Sequence, residues 1–231
     1  MRARITRAAA RAGRDASEIT LIGVTKLVPA ERVVLGVRAG LRDLGENYVQ
    51  EADAKLPAVR EALAARAETP PALWWHAIGR LQRNKARDVA RLFDAVHSVD
   101  RIELARELDR RAGEASRRLA VFFQVNLCAE PQKGGAAPNA VPALVAACAE
   151  LAHLDPTGLM VVPADDPDPE AARPAFAALR ELAGELRARP GGERLRHLSM
   201  GMSNDFEVAI EEGATHVRVG TALFGPRGGT A

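Results

Sequence analysis

An α/β fold, a single (β/α)8 TIM barrel, is the class this sequence predicts, and three observations carry it. Short β-branched or apolar runs alternate about eight times with longer segments of helical spacing, the pattern of a parallel sheet. No long linker interrupts the alternation, so residues 1–231 read as one domain of a length that suits a closed barrel. No GxGxxG follows the first strand; the glycine and hydroxyl signals suited to an anion fall near the end of the chain, where barrels often hold a phosphate. An open doubly wound sheet is the alternative architecture.

Taken in order, Met1 to Arg14 is rich in Ala and Arg and reads as an amphipathic helix, with no apolar core and cleavage site of a signal peptide. The first strand, 19–25, is the β-branched run Ile19-Thr20-Leu21-Ile22-Gly23-Val24-Thr25, followed by helical spacing over 30–39. A strand at 42–45 leads into a helix over 46–65, where Val49, Ala52, Leu56, Val59 and Leu63 recur at three- and four-residue steps. Pro57 is expected to kink or split that helix. Strands at 74–78, 95–99, 119–127, 158–162, 196–200 and 215–219 then alternate with helical segments at 82–92, 101–113, 138–152, 169–188 and 203–212. Asp165–Pro169 and Pro190–Gly192 are turn-rich loops within the domain.

Composition narrows the function. The formal net charge of +2, with basic residues dispersed among acids, argues against nucleic acid as a partner. No apolar stretch approaches the roughly 18 residues that span a bilayer, so a cytoplasmic protein without a membrane partner is expected. Cys128 and Cys148 form no CxxC pair and have no matching histidine spacing, so they read as buried free thiols and no metal site is expected.

Arginine dominates the basic residues: of 32, only Lys26, Lys55, Lys85 and Lys133 are lysine. Lys26 closes the first strand, and in a barrel the carboxyl ends of the strands form the mouth where sites are built. A partly desolvated lysine can lose its proton and form a Schiff base, which arginine cannot do. An ordinary loop lysine is the plain alternative. At the far end of the chain, Ser199, Met200, Gly201 and Ser203 lie between a strand and a helix expected to begin near Ser203 or Asn204, and Gly220 and Thr221 follow the next strand. Exposed N–H groups at such turns attract an anion, and glycine permits close approach. Two capped turns that hold nothing would look the same. A lysine at strand one and a phosphate cradle at strands seven and eight together suit a phosphorylated aldehyde, and pyridoxal 5'-phosphate is such a molecule. Arg218, just ahead of the second arm, is placed to meet its ring nitrogen and keep it unprotonated, which weakens the electron sink and favours a carrier.

Those motifs resemble the YggS/PROSC-type pyridoxal phosphate homeostasis proteins, whose barrel is similar to the N-terminal domain of alanine racemase. The resemblance covers nearly the whole chain. It rests on Val24-Thr25-Lys26, Gly45-Glu46-Asn47-Tyr48-Val49-Gln50-Glu51, Trp75-His76-Ala77-Ile78-Gly79 continuing to Lys85, Ser199 to Ser203, and Arg218 to Gly225. It implies Lys26 as the Schiff-base lysine, Ser199, Ser203, Gly220 and Thr221 around the phosphate, Arg218 near the pyridine nitrogen and Asn47 beside the cofactor. It also implies a monomer or weak dimer that takes part in vitamin B6 homeostasis, influences cofactor supply to other enzymes, and has no firm reaction of its own. Thr25 stands where the family commonly has Ser, Leu27-Val28 where Thr-Lys is common, and Arg80 where Pro is usual; fewer residues than usual precede Ile5.

Other residues have two readings. His76 suits either a base at the mouth or a hydrogen-bonded strand histidine, and Lys133 either a surface lysine or a secondary point of aldehyde capture. The basic residues Arg80, Arg83, Lys85 and Arg87 read as a solvated helix start, and Met200 and Met202 as packing residues or as part of the cradle. Two other function classes stay open. A racemase of the alanine racemase type needs a second acid/base, and the chain has one tyrosine, Tyr48. A Schiff-base aldolase needs carboxylates or a second lysine on adjacent strands, for which Glu46 and Asp100 are the candidates.

Overall fold

The computed structural model describes residues 1–65, 72–128 and 134–225. Eight parallel strands close into a barrel in chain order: β1 (Thr20–Val24), β2 (Asp43–Glu46), β3 (Trp74–Ala77), β4 (Ala95–Val99), β5 (Leu119–Gln124), β6 (Leu154–Met160), β7 (His197–Ser199) and β8 (His216–Val219). β1 closes the ring against β8 through Ile22 opposite Arg218 and Gly23 opposite Val219, and it meets β2 on its other side through Val24 opposite Gly45. The open-sheet alternative is therefore set aside.

Helices cover the outside: α1 (Arg2–Arg11), α2 (Ala30–Arg38), α3 (Val49–Ala64), α4 (Ala86–Leu92), α5 (Ile102–Glu114), α6 (Val141–Ala149), α7 (Arg173–Arg187), α8 (Phe206–Glu211) and α9 (Thr221–Phe224). Strand residues pointing outward, such as Leu44, Trp75, Val96, Val121, Leu198 and Val217, pack with helix residues Val33, Leu56, Leu104 and Phe176 in one apolar layer. Their alternation with inward residues follows from the two-residue repeat of a strand.

Three expectations need correction. Pro57 does not split α3, which runs unbroken from Val49 to Ala64. Pro57 is exposed, so the carbonyl it leaves unpaired one turn back can find water, while Ala52, Leu56, Val59 and Leu63 stay buried against the barrel. The sixth strand starts four residues ahead of the expected 158, because Pro156 lies at the register shift between β5 and β6, where a missing N–H costs little. The seventh helix of the sequence reading, 203–212, begins only at Phe206, and the chain ahead of it turns back so that Met202 N–H donates to Asp205 Oδ1 at 2.5 Å.

Candidate functional site

At the carboxyl end of β1 the chain leaves the barrel through Thr25, Lys26 and Leu27. Leu27 has φ of +59°, a left-handed conformation unusual for a branched residue. Two groups of contacts hold it. Leu27 N–H donates to Glu51 Oε1 at 2.6 Å, and Val28 N–H donates to Thr25 O at 2.9 Å. Lys55, on the buried face of α3, donates from Nζ to Thr25 O at 2.5 Å, Glu46 Oε1 at 2.7 Å and Glu51 Oε1 at 2.6 Å. The Thr25 hydroxyl donates to the same Glu46 oxygen at 2.7 Å.

A second lysine thus enters the mouth from a helix, where the sequence reading weighed only strand carboxylates. Its three N–H groups are all directed at acceptors, two of them carboxylates, so Lys55 acts as a clamp cation rather than a nucleophile. Its helical spacing from Ala52 and Val59 was the available signal. Burial pushes the Glu46 carboxyl above its ordinary range, with the Lys55 and Thr25 hydrogen bonds opposing, and its Oε2 is buried without a hydrogen-bond partner. Lys26 itself is half-buried beside this cluster.

Asn47 follows β2 and is half-buried; it borders a cleft of about 780 Å³ at the mouth together with Tyr48, Arg80, Lys85 and Arg101. A Cβ on Gly79 would come 2.4 Å from Asn47 O, so glycine there lets β2 and β3 ends approach.

On the other side of β1, the two cradle arms meet. Ser203 Oγ accepts from Gly220 N–H at 3.3 Å and from Ala222 N–H at 3.5 Å, so two backbone donors at the start of α9 converge on one oxygen. Thr221 lies exposed between them at the first position of α9. Gly201 has φ of +91°, and a Cβ there would meet Ala209 Cβ at 2.6 Å and Phe206 Cα at 2.9 Å, so the turn into α8 requires glycine. Gly201 O accepts from Arg218 N–H at 2.9 Å, which ties the arms together.

Arg218 points into the barrel. Its Nη1 donates to Ser199 Oγ at 2.7 Å and its Nη2 to Val161 O at 2.9 Å. Burial pulls its pKa down to about 10, which leaves it cationic at neutral pH. Ser199 therefore departs from the cradle reading: it is fully buried, and its hydroxyl lies between Arg218 and His97 Nδ1, the latter at 2.8 Å. Met200 also departs from it, because strand alternation turns its side chain outward into the apolar layer.

Nor does His76 stand at the mouth; it bonds His97 and Asp43 inside the barrel. It joins His97, His197 and His216 in a ring-to-ring cluster, so four of the chain's five histidines fill the interior. Among the described residues there is no group of three or more His, Cys, Asp or Glu able to hold a metal ion. Cys128 is half-buried and Cys148 buried, both as free thiols, and burial pushes Cys148 up to about 12. Lys133 lies outside the described residues.

A lysine-bearing turn and a pair of N–H donors on one oxygen thus lie at the carboxyl ends of the strands, with the Arg218 guanidinium buried within the barrel. Residues 1–228 match the family model described as alanine racemase, N-terminal domain. A pyridoxal phosphate homeostasis protein of Pseudomonas aeruginosa is 46% identical over 97% of this chain and 92% of its own length. One from Aquifex aeolicus is 43% identical over 97% and 94%. The structure of PipY from Synechococcus elongatus with PLP bound superposes with a TM-score of 0.82 at 38% identity, covering 96% of this chain and all of that one (100%). The chain belongs to the alanine racemase N-terminal-domain family and, within it, to the group of pyridoxal phosphate homeostasis proteins.

Proposed function

We propose that this protein binds pyridoxal 5'-phosphate covalently through Lys26 and takes part in vitamin B6 homeostasis as a carrier without catalysis of its own. The observation that carries the reading is the convergence of Gly220 and Ala222 N–H groups on a single oxygen, Ser203 Oγ, just past the end of β8, the strand that pairs with β1, which Lys26 follows. A phosphate oxygen suits the position that hydroxyl fills, at the start of a helical turn. When bound, pyridoxal phosphate supplies an aldehyde that captures amines and a ring that can accept electron density.

In this reading Lys26 is the anchor, Ser203, Gly220 and Thr221 hold the phosphate with Gly201 shaping the turn, Asn47 borders the cofactor, and Arg218 meets the pyridine nitrogen. Met200 contributes packing behind the turn. A cation at that nitrogen keeps it unprotonated, which suits storage better than carbanion chemistry. The racemase alternative lacks its second acid/base: the sole tyrosine, Tyr48, is 54% exposed. Recipients are pyridoxal-phosphate-dependent apo-enzymes in the cytoplasm, and the carrier acts as a monomer. Among the described residues no helix is long and apolar enough to cross a membrane.

The test is borohydride reduction followed by peptide mass spectrometry, comparing wild type with Lys26→Ala. A phosphopyridoxyl adduct on the Lys26 peptide that is absent in the variant is expected; no adduct after incubation with pyridoxal phosphate would refute the reading. Exchange of an amino acid's α-proton with deuterated solvent at an enzymic rate would favour the racemase instead.

A further inference from the structure

We propose that His97 is a positioning residue for Arg218, acting through Ser199, and that Arg218, Ser199, His97, His76 and Asp43 form one hydrogen-bond chain of fixed polarity through the barrel interior. The inference rests on the reading that Arg218 meets the cofactor's ring nitrogen. The links are short and continuous: Arg218 Nη1 to Ser199 Oγ 2.7 Å, Ser199 Oγ to His97 Nδ1 2.8 Å, His97 Nε2 to His76 Nδ1 3.0 Å, and His76 Nε2 to Asp43 Oδ1 3.1 Å.

The two ends dictate the direction. Arginine can only donate and an ionised carboxylate can only accept. Ser199 therefore accepts from Arg218, and its own proton is directed at His97 Nδ1, which must be a lone pair. His97 then carries its hydrogen on Nε2 and donates to His76 Nδ1, and His76 carries its hydrogen on Nε2 and donates to Asp43. With one hydrogen on each ring, the reverse order would set a bare His76 nitrogen against the carboxylate. His97 is fully buried and stacked on Phe122, ring centroids 4.1 Å apart at 17°, a site that admits a neutral ring. Burial holds its pKa well below the usual histidine value, with His76, His216 and Arg218 adding to the effect. His216 stays outside the chain, its Nδ1 lying 2.9 Å from Thr215 Oγ1.

This gives His97 a definite task. Its Nδ1 lone pair takes the rotatable hydroxyl proton of Ser199, so the serine oxygen presents a lone pair to Arg218. With Nη2 tied to Val161 O, the second hydrogen bond sets the plane of the guanidinium. Without His97, the serine proton is free to rotate against the arginine N–H groups, and the guanidinium loses one of its two fixed points.

Two measurements on the full chain test this. Long-range 1H–15N correlation spectra with labelled histidine are expected to show the ring hydrogen of His97 and of His76 at Nε2, with both Nδ1 bare; a hydrogen on Nδ1 of either ring would overturn the assigned polarity. The chain is then loaded with pyridoxal phosphate carrying 15N in the ring. His97→Leu is expected to move the ring-nitrogen signal and weaken cofactor retention about tenfold, the scale of leaving a buried polar group mispaired. His97→Asn, which offers Oδ1 where Nδ1 stood, is expected to restore the signal. Ser199→Ala should shift it as His97→Leu does and serves if the leucine variant fails to fold. An unchanged ring-nitrogen signal in all variants, with the cofactor on Lys26, would sink the positioning role. Absence of a Lys26 adduct in the wild type would instead remove the cofactor reading on which the role depends, and the histidine spectra would still judge the chain by itself.

Discussion

Lys55 shows how much of a barrel mouth can rest on one buried cation. Its ammonium joins Thr25 O, Glu46 and Glu51, and through them holds the strained Leu27 conformation beside Lys26. Lys55→Met would leave a buried carboxylate and a strand-end carbonyl without their cation. The expected cost is about 3–5 kcal/mol, read from urea unfolding, with loss of cofactor retention even where the variant stays folded. Unchanged stability would mean that the carboxylates find other partners. At this scale the sequence was legible where chemistry singles out a residue: a lone lysine at a strand end, glycines beside hydroxyls. It was not legible where a role depends on neighbours distant in the chain. Ser199 and Arg218 share a barrel interior with His97, 102 and 121 positions away, and no local pattern announces it. Their inward pairing at His197-Ser199 and His216-Arg218 follows strand alternation and was the one available hint.

Among the elements, α3 and the turn before α8 carry opposite lessons. Pro57 sits within α3, exposed, and removes a helix hydrogen bond without ending the helix. Pro57→Ala should therefore stabilise the protein by about 2 kcal/mol, the helix-interior gain reduced by the greater entropy of the unfolded chain. A shift of the urea midpoint to lower concentration would contradict this. Gly201→Ala should do the reverse and cost about 3 kcal/mol, since it combines a left-handed φ with a clash against Phe206 and Ala209. A thermal melt within a degree of wild type would refute that expectation. Strands β1, β4 and β8 could be read within a residue or two because their β-branched runs are bounded by turns, and β3 because its aromatic pair Trp74-Trp75 follows the proline-rich 70–71. The start of β6 could not, because Pro156 looks like a loop residue and is accommodated at the register shift beside β5, while Gly158, read as its first residue, is kept free of a side chain by His197 O, 2.0 Å from where its Cβ would stand.

For the molecule as a whole, the barrel interior is its least ordinary part. Barrels of this class usually fill their centre with branched aliphatic side chains; here histidines, an arginine and a serine share it with Phe122, above a floor cavity of about 430 Å³ bordered by Asp43, His76, His197 and His216. Burial lowers His97 and His216 well below 6.5, so the folded state keeps both neutral where the unfolded chain protonates them. Below pH 6.5 the unfolded state binds more protons, and stability falls as pH drops; the loss is at most about 3 kcal/mol per pH unit if both contribute fully, and less because His216 borders the floor cavity. Urea midpoints measured from pH 7.5 to 5 should fall accordingly, and His97→Leu should flatten the slope if it folds. A pH-independent midpoint over that range would show that the interior rings titrate as they do in water.

The oxygen of Ser203 between the Gly220 and Ala222 amides has a consequence for traffic. At 3.3 and 3.5 Å those contacts are long and weak, yet they mean that the amides are never wholly bare. On the proposed reading, arrival of a phosphate would swap one acceptor for another, and departure would swap it back, so neither direction would meet a steep barrier of orphaned donors. A carrier of the proposed kind would need a berth that closes behind its cargo, and this turn carries its own closure.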